Sequence, residues 1–146
     1  MPQDKRQRQK GRRSSGTFAA IPHAVLDSQA FLSLTTAAVK LLLDLIRQFD
    51  GKNNGNLAIT YSQMQHRGWK STSTLSRAKD QLLQHGLIEK TRQGGLAQGR
   101  KICSLFAITW LPVDRIEDRK GRHILDIPPA KVASGKWKKN NAPLLK

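Results

Sequence analysis

The chain is 146 residues long and carries 26 Lys or Arg against 10 Asp or Glu, a formal charge of +16. At this length we expect one folded domain with a single core. No uninterrupted apolar run approaches the roughly 18 residues of a transmembrane helix, and no apolar region follows the basic N-terminus as a signal peptide requires. We therefore expect a cytoplasmic protein with no membrane partner. The single cysteine, Cys103, excludes an internal disulfide.

The positive charge is spread over three parts of the chain. Residues 1–16 carry a net +5, residues 17–110 carry +6 and residues 111–146 carry +5. Because the first segment is nearly devoid of apolar residues, we predict a disordered basic tail at 1–16. The prolines and the lysine-rich run of the last segment predict an irregular, flexible basic extension at 111–146, in which Ile124, Leu125, Ile127 and Trp137 are able to dock locally. This leaves 17–110 as the folded domain.

The first part of the predicted domain is helical. An irregular apolar cluster at 22–31 predicts one short helix. From residue 34 to 49 the apolar residues recur with the i, i+3, i+4, i+7 spacing of an amphipathic helix. Thr35 or Thr36 is a suitable N-cap, and the polar run that follows residue 49 ends this helix.

The second part combines short strands with another amphipathic helix. The pattern predicts a strand at 57–59 and then a short polar helix ending near Gly68. A second amphipathic helix is predicted at 71–86, where Gly86 supplies the positive-φ stop. Two strands, 87–93 and 102–110, are predicted to flank a long, flexible, glycine-rich and basic tip. The apolar face of the second helix consists of Leu75, Ala78 and Leu82.

This order of elements resembles the winged helix-turn-helix superfamily of bacterial and phage DNA-binding proteins. The resemblance covers residues 35–110 and rests on the Ser/Thr-rich run 71–78, on Leu82 and on the step at 85–88. It implies an α+β fold with a three-helix core and a β-hairpin wing. The upstream stretch at 22–28, together with the Asn-Asn-Gly loop, resembles small helix-turn-helix proteins of phages and mobile elements.

The resemblance makes 71–86 the recognition helix. A helix that enters the major groove needs short hydrogen-bonding side chains near its N-terminus, because bulky ones hold its backbone away from the base edges. Arg77 is the strongest candidate for a bidentate guanine or phosphate contact. The alternative is that the Ser/Thr run only caps the helix. The candidate DNA-binding residues here are Lys70, Ser71, Thr72, Ser73, Thr74, Ser76, Arg77 and Gln81.

The resemblance also places the glycine-rich wing against the DNA backbone or minor groove. It thereby gives Arg92, Arg100 and Lys101 phosphate or minor-groove contacts, although such a hairpin taken alone is more often a solvated loop. The N-terminal run is open to three interpretations: a minor-groove arm, an RNA-binding tract or a solubilising tail. Its candidate DNA contacts are Arg6, Arg8, Arg12 and Arg13.

No sequence motif indicates an enzyme. The chain contains no phosphate-binding loop, nucleophile elbow, zinc-protease helix or dinucleotide fingerprint, and its acids are few and scattered. The four histidines lack metal-ligand spacing and are interpreted as surface or capping residues, so we expect neither metal nor cofactor. Trp69 is interpreted as a core residue. Trp137 is an isolated aromatic in a basic tail, where stacking on a base is the less favoured interpretation.

We therefore predict a nucleoid-associated protein that binds double-stranded DNA and regulates transcription in a phage, plasmid or integrated element. Two alternatives stay open. One is a replication initiation or partition factor that binds origin repeats, and the other is a winged-helix adaptor that binds protein or RNA, including through its tails. A homodimer is also left open, since winged-helix regulators often dimerise, although no additional long helix is visible to supply an interface.

Overall fold

The structure, a computed structural model, describes residues 16–141. Within that range the chain forms five α-helices and two antiparallel sheets, so its fold class is α+β as predicted. None of the helices in this range is both long and apolar enough to cross a bilayer. The helices are α1 (His23–Leu26), α2 (Gln29–Leu32), α3 (Thr36–Gln48), α4 (Tyr61–Met64) and α5 (Thr72–Gln84), and the strands are β1 (Leu57–Ala58), β2 (Ile88–Arg92), β3 (Gly95–Ala97), β4 (Arg100–Ile102) and β5 (Leu105–Ile108).

The two long helices begin where their capping residues predict. The Thr35 hydroxyl accepts a hydrogen bond from the Ala38 N–H at 3.3 Å and caps α3. The Ser71 hydroxyl accepts one from the Thr74 N–H at 3.3 Å and caps α5. The two helices pack against each other through their predicted apolar faces. Gly86, at φ +75°, follows α5 in the left-handed conformation that lets the chain turn into β2.

The region predicted as one short helix consists of two. α1 and α2 are four residues each, and Asp27 and Ser28 separate them. The Ser28 hydroxyl accepts from the Phe31 N–H at 3.2 Å, which starts a new helix at Gln29. The irregular spacing of the apolar residues reflects this break, because each short helix turns its own apolar side chain inward.

The main sheet has the order β1-β5-β2, with β5 in the centre. Alternate residues of β5 belong to different cores. Phe106 and Ile108 pack with the helices, whereas Leu105 and Ala107 lie in a second apolar cluster. Since side chains alternate across a strand, both faces of this sheet are covered. The helices cover one face, and the C-terminal extension covers the other.

The C-terminal extension is irregular, and it is packed where the sequence predicts a flexible extension with local docking only. Val113, Ile116 and Leu125 are buried against the outer face of the sheet. The His123 ring ties two points of the extension together: Nδ1 accepts from the Ile116 N–H at 3.1 Å, and Nε2 lies 2.7 Å from the Ile127 carbonyl oxygen. A few widely spaced apolar residues are enough to anchor the extension, because the sheet already provides the surface against which they pack.

A buried amide fixes the start of this extension. Asn54 is fully buried, and its Oδ1 accepts from the Ile108 N–H at 2.7 Å. Its Nδ2 lies within 3.1 Å of the carbonyl oxygens of Ile108, Leu111 and Pro112. Asn54 thus satisfies backbone groups where β5 ends, and the Ile108 oxygen also accepts from the Leu111 N–H at 3.4 Å.

The end of the extension returns to the helical core. Trp137, in a 3-10 helix at Lys136–Asn141, is only 7% exposed and joins the main core. Its neighbour Lys136 pairs with the buried Glu89 carboxylate at 3.2 Å. A Cβ on Gly86 would lie 2.6 Å from the Lys136 carbonyl oxygen, so glycine allows this close approach. The burial of Trp137 leaves no ring face for the base stacking considered from the sequence.

Trp137→Ala should lower the free energy of unfolding by about 3 kcal/mol, because a buried indole leaves a cavity when it is truncated. Urea unfolding followed by circular dichroism measures this change. Val132→Ala is the matched control, since Val132 lies in the same extension but is 77% exposed. Equal and small effects of the two substitutions would show that the extension does not stabilise the fold.

Candidate functional site

A buried carboxylate, Asp44 of α3, holds the turn that leads into α5. Its Oδ1 accepts from Arg67 Nη2 at 3.0 Å, and its Oδ2 accepts from Trp69 Nε1 at 2.8 Å. Lys40, one helical turn earlier, also donates to Oδ2 at 2.9 Å. Arg67 and Trp69 flank Gly68, which has φ +91°. The turn that joins the helical segment 61–67, which begins with α4, to α5 is therefore anchored to α3 on both sides of its glycine.

The same contacts keep Asp44 ionised. Burial by itself would raise the pKa of the Asp44 carboxyl, but the hydrogen bonds from Lys40, Trp69 and Arg67 outweigh this desolvation. The pKa of Asp44 is consequently lowered below its ordinary value of 3.8. At neutral pH the carboxylate is an acceptor only, which suits the three donor groups that surround it.

α5 presents a polar face to solvent. Its buried stripe faces α3, while Thr72, Ser73, Ser76 and Arg77 are exposed on the other side. The structure thus brings most of the predicted recognition residues onto one surface. Lys70, which precedes the helix cap, is exposed as well.

Three predicted recognition residues have structural contacts instead. Ser71 caps α5, and its hydroxyl lies 2.9 Å from that of Ser73. Gln81 faces α3, where its Oε1 accepts from the Thr35 N–H at 3.0 Å. Thr74 is half-buried, and its backbone N–H donates to the Ser71 hydroxyl. Gln81 thus joins the start of α3 to the C-terminal half of α5.

The predicted flexible tip is a second two-stranded sheet. β3 pairs with β4, and Leu96 lies opposite Lys101. Gln98 and Gly99, at φ +51° and +73°, form the turn between them. Positive φ at both central turn residues is the geometry that matches the twist of a two-residue hairpin. This hairpin is therefore more regular than its glycine content predicts.

The three basic residues predicted for the hairpin differ in their surroundings. Arg100 and Lys101 are exposed on β4. Arg92 lies at the base of the hairpin, where its Nη2 donates to the Cys103 carbonyl oxygen at 2.9 Å. Its guanidinium therefore joins the two chain segments that lead into the hairpin. The tail residues Arg6, Arg8, Arg12 and Arg13 lie outside the described residues.

Sequence reasoning overlooked two exposed side chains next to the predicted contacts. Asp80 lies on the solvent face of α5, three residues after Arg77, and its side chain is 68% exposed. Leu96 is 82% exposed on β3. The i, i+3 spacing from Arg77 was the signal for Asp80. For Leu96 the signal was a large apolar residue within a polar, glycine-rich run.

Across residues 16–141, no three His, Cys, Asp or Glu side chains are grouped so that they could hold a metal ion. No protein-family model, curated protein or solved structure matches the chain.

Asp44→Asn should lower the free energy of unfolding at pH 7 by about 2 kcal/mol, because the charge-assisted hydrogen bonds from Lys40 and Arg67 lose their carboxylate. The effect of pH follows from the lowered pKa. The contribution of the carboxylate is complete above its ordinary pKa of 3.8 and is lost as the pH falls through the lower folded-state pKa. The wild type should therefore lose more stability on acidification than the variant does.

Urea unfolding at a series of pH values from about 6 to about 2 tests this. Asp27→Asn is the control, since it removes the same charge from an exposed position. Parallel stability profiles for the wild type and Asp44→Asn would mean that the ionised carboxylate does not hold the turn.

Proposed function

We propose that the chain binds double-stranded DNA through a winged helix-turn-helix, with α5 as the recognition helix and the β3–β4 hairpin as the wing, and that it regulates transcription in a phage, plasmid or integrated element. The observation that carries the proposal is the exposed Ser/Thr/Arg face of α5, on a helix whose entry turn is anchored by Asp44. The order of elements supports it, since β2 follows α5 directly and the hairpin lies between β2 and β5.

The dimensions of this face suit a major groove. With its side chains an α-helix is about 10 to 12 Å in diameter, which fits the major groove, about 12 Å wide. The short hydroxyl side chains let the helix backbone approach the base edges. Arg77 Nε makes only a long contact, 3.4 Å to the Ser73 carbonyl oxygen. A guanine or phosphate replaces that contact with stronger, charge-assisted hydrogen bonds.

The structure divides the predicted contacts into two groups by what their side chains already do. Ser71, Gln81 and Arg92 hold the protein together, so in this proposal they position the other residues. Direct contacts then come from the exposed side chains. Base edges are assigned to Thr72, Ser73, Ser76 and Arg77, and phosphates to Lys70, Arg100 and Lys101.

The affinity for duplex DNA should depend steeply on salt. If about six phosphates are neutralised, the logarithm of the affinity falls against the logarithm of the salt concentration with a slope of about −5, because bound counterions are released. Fluorescence anisotropy with a labelled duplex and the full chain measures this slope. An affinity independent of salt, or tighter binding to a structured RNA than to any duplex, contradicts the proposal.

Arg77→Ala should weaken binding to a preferred duplex by about 1 to 3 kcal/mol and relax the preference at one base position. The preferred duplex comes from selection on a random library with the wild type. Arg119→Ala is the matched control, since it removes the same charge from an exposed site in the C-terminal extension. A uniform loss of affinity across all duplexes in the Arg77 variant makes Arg77 a phosphate contact and refutes its role in reading a base.

A further inference from the structure

The acidic side chains of this basic protein are mostly engaged in holding the fold. In the described residues, seven of them accept a hydrogen bond or form an ion pair at 3.2 Å or less. The two other described acids, Asp27 and Asp80, are exposed. Of these two only Asp80 lies on α5, where its ion-pair partner is Lys79, whose Nζ lies 3.9 Å away. The engaged acids are Asp44, Asp50, Glu89, Asp114, Glu117, Asp118 and Asp126.

Asp80 lies within the face that the proposed function assigns to DNA. Ser73, Arg77 and Asp80 follow one another at spacings of four and three residues, so they line one side of α5. The face opposite them is buried, through Leu75 and Ala78. A helix that inserts this side into the major groove brings the carboxylate to the bases together with Arg77.

A carboxylate at that position opposes binding unless a donor faces it. Near phosphates it is repelled, and it reduces the attraction that the net charge of +16 provides. Two bases offer an amino group in the major groove, cytosine at N4 and adenine at N6. Beside its amino group adenine also presents the N7 acceptor, which repels a carboxylate, whereas cytosine presents only the donor. Cytosine is therefore the base that fits Asp80.

We infer that Asp80 is a specificity-determining residue that accepts a hydrogen bond from the N4 amino group of a cytosine. Arg77 and Asp80 are separated by about 4.5 Å along the helix axis, close to the spacing of about 3.4 Å between stacked bases. The two side chains thus address adjacent base pairs, with guanine for Arg77 and cytosine for Asp80. This inference rests on the proposed function and adds the substrate class, a duplex site with a G·C step.

Selection from a random duplex library tests the inference, with the full-length wild type, Asp80→Asn and Asp27→Asn compared under the same conditions. Asp80→Asn keeps the size of the side chain but removes its charge, and Asp27→Asn removes the same charge from an exposed residue outside α5. The wild type should select a cytosine next to the position at which Arg77→Ala loses its guanine preference. Circular dichroism confirms that each variant is folded.

In the Asp80→Asn variant we expect the cytosine preference to fall by about tenfold or to change to adenine, whose N6 and N7 match an amide. Asp27→Asn should keep the cytosine preference. If Asp80→Asn binds all duplexes more tightly and still prefers cytosine, the inference is overturned while the proposed function stands. If the wild type selects no duplex, the proposed function fails and the inference fails with it.

Discussion

The ionised Asp44 carboxylate is the interaction on which the position of α5 depends. It accepts hydrogen bonds from Arg67 and Trp69, on the two sides of the Gly68 turn, and from Lys40 on its own helix. Lys40 adds a second link, since its Nζ also donates to the Arg67 carbonyl oxygen at 2.6 Å. A buried charge is costly unless it is well paired, so this arrangement favours one geometry of the turn over others. The hydrogen bond between Gln81 and Thr35 also links α3 to α5.

The sheet imposes the second constraint, because its central strand, β5, is buried on both faces. The helices alone cover only one face, so the domain needs residues beyond 110 to exclude water from the other. Trp137 extends this dependence to the helical core. The segment after residue 110, which carries part of the positive charge, therefore packs largely as a layer against the sheet. The segment after residue 110 both carries positive charge and completes the fold. A division of the chain into a folded core and charged tails treats these two properties as separate.

The elements that depend on local patterns could be predicted from the sequence. α3 and α5 have clear apolar periodicity, and Thr35 and Ser71 cap them as their side chains predict. The contacts that position the candidate site could not be predicted, because each one joins two individual residues that are far apart in the sequence. Asp44 contacts Arg67 and Trp69, 23 and 25 residues away, and one carboxylate among apolar residues leaves no periodic signal. Likewise, Trp137 is surrounded by lysines, which makes a core residue resemble part of a tail.

A few exposed side chains of α5 are proposed to read the bases, and chemical protection of guanine N7 tests that proposal most directly. Dimethyl sulfate methylates this atom in the major groove, where Arg77 is proposed to contact it. Bound to its selected duplex, the wild-type chain should protect at least one guanine N7, and the protection should disappear with Arg77→Ala while that of other guanines persists. Binding that leaves every guanine N7 in the duplex accessible would contradict major-groove recognition by α5.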